Sequence, residues 1–168
     1  MTMHSRKYRS EIPALPEKVC AWHGRDGAFE RLTPSWAKTR VVSSSGTMEP
    51  GDWKKLRVAV GPVHVNWTIE HEAMNELGFA DVQRSGPFAS WRHEHAFRKT
   101  DIETTSLEDR VSYVLPADWI TDSIAGSRVD DRIDRVFGFR HIRTAHDLSR
   151  HQSFGKQQLR IAVSGATG

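Results

Sequence analysis

The chain has 168 residues, and 24 Lys and Arg against 21 Asp and Glu give it a formal net charge of +3. The basic residues are scattered singly among acidic ones, which argues against nucleic-acid binding, since that function uses a clustered basic stripe. One cysteine excludes an internal disulfide. No signal peptide is apparent and no segment approaches the ~20 apolar residues of a membrane span, so we expect a cytoplasmic protein.

The first part of the chain predicts one strand followed by two short helices. Residues 6–12 fit a strand, and Pro16 at a first helical position favours a helix that begins there. We expect Cys20, in that helix, to be a small buried core residue rather than a nucleophile. The stretch GAFERLTP, residues 27–34, predicts a second short helix that its final proline ends.

Residues 37–115 predict a meander of six antiparallel strands. Segments rich in Val, Ile, Trp, Phe and Thr alternate with residues that favour tight turns, such as Gly61-Pro62 and Gly86-Pro87. We expect Trp53 to lie in the core or at its rim.

Beyond Pro116 the apolar spacing changes to that of a helix. Ser127, after Gly126, is the expected N-cap. Positions three and four residues apart define one face of this helix: Val129, Ile133, Val136, Phe137, Arg140, Thr144 and Leu148. The element order predicts an α+β fold in which a long C-terminal helix covers a single curved sheet. Trp119 is expected in the core or at its rim.

The last ten residues, LRIAVSGATG, predict the start of another domain. An apolar strand runs into a glycine-rich turn, as at the beginning of dinucleotide-binding βαβ units. No third glycine, helix or ribose-binding acidic residue follows, so this segment alone cannot bind a dinucleotide. We therefore place one domain at residues 1–152, and a linker with a truncated Rossmann-type start at residues 153–168.

Several stretches, together with the element order, carry a family resemblance. They are SEIPALPEKVCAWHGRDGAFERLTP, VQRSGPFASWRHEHAF, LEDRVSYVLP and VFGFRHIRTAHDL. They resemble the SRPBCC superfamily of START-like helix-grip proteins, which includes the polyketide cyclase/dehydrase group. In particular, the chain looks like the N-terminal domain fused to an extended, epimerase-like short-chain dehydrogenase/reductase in actinobacterial proteins. The resemblance implies a seven-stranded antiparallel sheet wrapped around a long helix.

The same resemblance implies several possible functions. The leading expectation is a domain without catalytic activity that binds a hydrophobic or amphipathic small molecule, including lipid, beside a reductase-like domain. The alternatives are a cyclase/dehydrase-type enzyme using the same cavity, and a structural or interaction module of the kind labelled as cell-division inhibitor. No cofactor is expected in these residues, whereas the missing reductase-like domain would use NAD(P). The oligomeric state is left open.

Alternation of side chains along each strand predicts which residues line the cavity. The expected apolar wall consists of Trp22, Trp36, Trp67, Trp91, Phe97, Tyr113 and Phe137. The expected polar groups are His71, Asp81, Gln83, His93, His95, Asp109 and Arg140. The outward positions of the same strands are mostly charged, as a solvated face should be.

These inward polar groups must be paired or hydrated, because unpaired buried polar groups cost a few kcal/mol each. They can bond one another, with Arg140 paired to Asp109, or orient a ligand, or supply a histidine acid or base held by Asp109. His93-x-His95 with His71 or Asp109 has metal-ligand character. We assign no catalytic residue and no metal ligand from the sequence. We expect His141, His146 and His151 to face solvent or a helix end.

Overall fold

A computed structural model describes residues 2–46, 48–75, 77–117 and 123–154. Its seven strands form one antiparallel sheet in the order β1-β7-β6-β5-β4-β3-β2. The strands are β1 Met3–Ile12, β2 Arg40–Ser44, β3 Trp53–Val60, β4 Val63–Asn75, β5 Gly78–Ser85, β6 Ser90–Asp101 and β7 Thr104–Val114. Strands β2 to β7 form the predicted meander. Strand β1 is an edge strand and pairs with β7. The predicted fold class is therefore confirmed.

Three α-helices complete the described fold: α1 Pro16–Gly24, α2 Ala28–Arg31 and α3 Ser123–Phe154. The second predicted helix is shorter than expected, and a separate 3-10 turn, Ser35–Ala37, follows it. The predicted N-cap at Ser127 is wrong, because α3 begins at Ser123 and Ser127 lies inside it. Trp119 and the LRIAVSGATG segment lie outside the described residues.

Long helix α3 packs across the inner face of the sheet. One apolar cluster joins Tyr113, Trp91 and Val111 of the sheet to Ile133 and Phe137 of α3. A second joins the end of β1 to helix α1 and to Leu148 near the end of α3, with Cys20 half-buried against it rather than in its centre. Trp53 is 37% exposed, at the rim.

Among the described residues, none of the helices combines the length and apolar character that crossing a bilayer requires.

Strand parity divides the sheet into a buried and a charged face. On β6 the alternate residues Trp91, His93, His95 and Phe97 are all buried. The residues between them point outward, where Arg92 bonds Glu94 of its own strand and Glu72 of β4 at 2.9 and 2.7 Å. Because the charged side chains on the outer face stay hydrated, the alternate, buried side chains of each strand face α3.

An ion pair between Arg31 and Asp147 connects helix α2 to helix α3. Arg31 donates two hydrogen bonds of 2.8 Å to the buried carboxylate of Asp147. We expect Asp147→Asn to lower the free energy of unfolding by at most about 1 kcal/mol at pH 7, because Arg31 is 43% exposed and solvent screens the pair. Urea denaturation of both proteins measures this difference, with exposed Glu30→Gln as a control expected to be near neutral.

The effect of Asp147→Asn should depend on pH in one direction. The Arg31 hydrogen bonds hold the pKa of Asp147 below its ordinary value of 3.8. The pair therefore stabilises the fold fully above that ordinary value, and its contribution is lost as the pH falls through the lowered pKa. If the difference in free energy of unfolding between wild type and Asp147→Asn became larger at acidic pH, the assignment of Asp147 as the ionised partner of Arg31 would be contradicted.

Candidate functional site

A cavity of about 410 Å³ lies between α3 and the inner face of the sheet. Most of its wall is apolar, from α2, β3, β4, β6, the β5–β6 turn and α3: Phe29, Leu32, Leu56, Val58, Val60, Trp67, Ile69, Phe88, Trp91, Val129, Ile133, Val136 and Phe137. Five ionisable residues also line this cavity: Asp81, His93, Arg128, Arg132 and Arg140. We call this space the main cavity.

A second cavity of about 210 Å³ lies beside the first. It is more polar, with His23, His71 and His95 in its wall together with Phe79. Asp81 and Arg140 line both cavities. These two residues therefore form part of the boundary between an apolar compartment and a polar one.

Asp81 lies at the centre of a histidine cluster because β5 runs between β4 and β6. The register places Asp81 opposite His71 on one side and His93 on the other. Its Oδ1 lies 2.5 Å from His71 Nδ1. Its Oδ2 lies 3.8 Å from His93 Nδ1 and 3.9 Å from His95 Nε2. Behind His71, Lys54 Nζ is 3.4 Å from the other ring nitrogen.

Asp109 of β7 forms the second half of this cluster. Its Oδ1 is 2.8 Å from His95 Nδ1 and 3.4 Å from His93 Nε2, and its Oδ2 is 3.1 Å from His141 Nε2 of α3. The other nitrogen of His141 is 2.6 Å from Ser10 Oγ. The expectation that His141 faces solvent is therefore wrong. It follows Phe137 by four residues and so shares the inward face of the helix.

Several atoms of this cluster lie close together without an aligned hydrogen bond. They are His71 Nδ1, Asp81 Oδ1, His93 Nε2, His95 Nδ1 and Asp109 Oδ1. Arg140 Nε is also buried without a partner, and its guanidinium lies against the rings of Phe29 and Phe137 at 5.8 and 5.4 Å. The predicted pair between Arg140 and Asp109 is not formed, because histidines occupy the positions around that carboxylate.

Burial and charge set the protonation states of three histidines, His23, His93 and His95. Burial lowers the pKa of His23 to about 3, and burial with the nearby positive His95 lowers the pKa of His93 to about 4. Burial also opposes the charge on His95, but Asp109 and Asp81 outweigh it and raise its pKa to about 9. Burial opposes ionisation of both carboxyl groups too, and the histidines nonetheless hold their pKa values below the ordinary range. At neutral pH, His93 is neutral and His95 positive.

The predicted site residues fall into three groups. Six line the main cavity: Trp67, Asp81, Trp91, His93, Phe137 and Arg140. Two, His71 and His95, line only the second cavity. The others line neither: Trp22, Trp36, Gln83, Phe97, Asp109 and Tyr113.

The residues outside both cavities have structural roles that the sequence did not predict. Tyr113 donates its hydroxyl to Asp130 of α3, and Gln83 donates to the Phe88 carbonyl at 2.7 Å, closing the β5–β6 turn. Trp22 and Phe97 belong to the core cluster below α1. Trp36 is 40% exposed, with Arg135 over its ring.

Sequence reasoning missed much of the apolar wall. Leu56 and Val58 of β3 and Ile133 and Val136 of α3 line the main cavity. Both pairs carried a usable signal. Alternation in KKLRVAV sets Leu56 and Val58 on one face of β3, and Ile133 and Val136 belong to the helical stripe already recognised.

The sheet order, the long helix across its inner face and the enclosed cavity define the class of protein: the chain has the helix-grip fold. No family model and no curated protein matches the sequence. Solved structures match over most of the chain.

Three of these structures are informative. An aromatase/cyclase from Streptomyces sp. R1128 is similar with a TM-score of 0.71 at 15% identity, over 90% of this chain and 96% of that one. Norcoclaurine synthase from Thalictrum flavum has a TM-score of 0.66 at 9% identity, over 90% and 97%. A nucleoside-diphosphate sugar epimerase from Corynebacterium glutamicum has a TM-score of 0.66 at 25% identity, over 88% of this chain and 30% of that one. The first two likenesses establish the fold.

Proposed function

We propose that the chain binds a hydrophobic or amphipathic small molecule in the main cavity. The observation that carries the proposal is the cavity itself, about 410 Å³ of space with a mostly apolar wall and a few buried polar groups. Small-molecule sites have this composition and fall in the range of roughly 300–1,000 Å³. A sealed core of the same size would be filled by side chains, because protein interiors are close-packed.

The polar wall supports a ligand with an oxygen-bearing end. Arg140 presents its guanidinium to the cavity, with a buried Nε that has no hydrogen-bond partner. A carbonyl, phenol or carboxylate would accept hydrogen bonds from such donors, while the aromatic residues Trp67, Trp91 and Phe137 hold the apolar body. An amphipathic aromatic compound satisfies both ends of the site.

Filling the cavity tests the proposal. The probe is 8-anilinonaphthalene-1-sulfonate, whose fluorescence rises in an apolar site. We expect Val58→Trp to weaken probe binding at least tenfold, because Val58 is buried in the cavity wall and the larger indole takes up ligand space. Val63→Trp, at a position 56% exposed, is the matched control and should bind as wild type does. Equal affinity in all three proteins would contradict the assignment of the probe to this cavity.

A second candidate function is catalysis of the cyclase/dehydrase type in the same cavity. It is favoured by a neutral histidine, His93, that lines the cavity and is backed by the carboxylate of Asp109. Such a pair suits general acid–base chemistry near neutral pH. Turnover of a poly-β-ketone by wild type, lost in His93→Gln while probe binding is retained, would establish an enzyme. Unchanged turnover in that variant would exclude His93 as the acid or base.

A role beside a reductase-like or epimerase-like domain is part of the same proposal. It is supported by the 25% identity to part of the Corynebacterium glutamicum epimerase and by the strand-and-turn pattern of LRIAVSGATG. In that arrangement NAD(P) would belong to the second domain. Sequencing the gene beyond the codon for Gly168 tests it: a reading frame with the third glycine and the following helix is expected, and an immediate stop codon would contradict it.

A further inference from the structure

The donor atoms of three residues, of which His93 and His95 are buried and Asp81 is partly exposed, converge at the boundary of the two cavities. Asp81 of β5 and His93 and His95 of β6 each place one ligand atom within 4.8 Å of the others. Asp81 Oδ2 lies 3.8 Å from His93 Nδ1 and 3.9 Å from His95 Nε2. Ligands of a tetrahedral zinc ion lie roughly 3.4 Å apart, because the bonds are about 2.0–2.2 Å long. To bind one ion, Asp81 Oδ2 must approach each imidazole nitrogen by about 0.5 Å. The two imidazole nitrogens, which lie within 4.8 Å of each other, must approach by up to about 1.4 Å, which rotation of the side chains can supply.

The surroundings of both imidazoles favour the required tautomers. A histidine that ligates a metal normally donates its other N–H to a carboxylate or carbonyl. Here Asp109 Oδ1 lies beside His93 Nε2 and His95 Nδ1, while His93 Nδ1 and His95 Nε2 face Asp81. Binding of an ion would displace the second proton of His95. With the remaining protons directed to Asp109, the nitrogens that face Asp81 then carry the free lone pairs.

Asp81 has similar support on its other oxygen. His71 Nδ1 is 2.5 Å from Oδ1 of Asp81. The other ring nitrogen of His71 lies 3.4 Å from Lys54 Nζ. This arrangement leaves Asp81 Oδ2 facing the two histidines of β6.

We propose that Asp81, His93 and His95 form a binding site for one divalent transition-metal ion, with Asp109 and His71 as the groups that orient the ligands. Two imidazoles and one carboxylate are a donor set that zinc and Fe(II) sites use. Asp81 and His93 line the main cavity, so the ion lies within reach of a molecule bound there. From the sequence, His71 or Asp109 was the expected third ligand, but the strand register places Asp81 of β5 opposite His93. The proposal does not depend on ligand binding in the cavity.

The test uses Zn²⁺ alone on the full chain after EDTA treatment and desalting. We expect one equivalent of zinc by calorimetric titration, confirmed by elemental analysis after a second desalting. Asp81→Asn and His95→Gln should each weaken zinc binding at least 100-fold, and Asp109→Asn about 10–100-fold, as for other groups that orient metal ligands. His146→Gln, at an exposed position of α3, is the matched control and should bind zinc as wild type does.

A measurement on the unaltered protein covers the case in which these buried variants fail to fold. Zinc should shift the imidazole nitrogen resonances of His93 and His95 in long-range ¹H–¹⁵N spectra. Shifts confined to the exposed His64, His146 and His151 would overturn the proposal, as would less than 0.1 equivalent of retained zinc. Probe binding measured separately in EDTA reports on the main cavity, so failure of either proposal is distinguishable from failure of the other.

Discussion

Replacing Asp109 with alanine is expected to lower the free energy of unfolding by about 3–5 kcal/mol at neutral pH. This carboxylate is 2% exposed and lies against His93, His95 and His141. Removing it leaves the positive charge of His95 buried and less compensated, which is costlier than the loss of an exposed pair. Denaturant titration in the presence of EDTA, followed by tryptophan fluorescence, measures the loss without any contribution from bound metal.

The neighbouring residue on β7 provides the control for this measurement. Glu108 points to the outer face and pairs with the exposed Lys7 at 2.8 Å. Surface ion pairs contribute about 0–1 kcal/mol, so Glu108→Ala should be nearly neutral. Similar losses for the two variants would contradict the assignment of Asp109 as the central anion of the cluster.

The sequence was sufficient to predict the elements that have a strong period. Strand β6 alternates four buried side chains with outward ones that include Arg92 and Glu94, and the order of β2 to β7 followed from tight turns between successive strands. The resemblance to helix-grip proteins supplied the number of strands and the wrapping of the sheet around α3, whereas the pairing of β1 with β7 came from the structure. Helix boundaries were less certain, because Gly126 and Ser127 resemble a helix start yet lie within α3.

The polar cluster was predicted as a set of residues but not as a set of contacts. Strand parity places Asp81, His93 and Asp109 on the same face of the sheet, and all three lie on the inner side. Their partners depend on interstrand register and on the rotation of α3, neither of which is encoded in the period of a single segment. For this reason His141 was placed outside the cluster and Arg140 was expected to contact Asp109.

Phe137 links the cluster to the main cavity, and its removal should have an equally large effect. The ring is 3% exposed, stacks on Tyr8 at a centroid distance of 4.8 Å and meets His93 edge-on at 4.7 Å. We expect Phe137→Ala to lower the free energy of unfolding by about 3–5 kcal/mol, the range for truncating a buried aromatic side chain. Denaturant titration provides the value. Phe139→Ala, two residues along α3 at a half-buried position, should cost clearly less.

The size of this loss also distinguishes an open cavity from a collapsed one. The cost of truncation grows with the volume that remains unfilled, and Phe137 already borders about 410 Å³ of space. If the wall were free to close, as in a purely structural module, its neighbours would relax into the gap and the loss would approach that of Phe139→Ala. If the cavity is held open, the full loss appears and the enlarged site accepts benzene or naphthalene. Saturating naphthalene should then raise the melting temperature of Phe137→Ala more than that of wild type, because a ligand that binds only the folded state stabilises it in proportion to its occupancy.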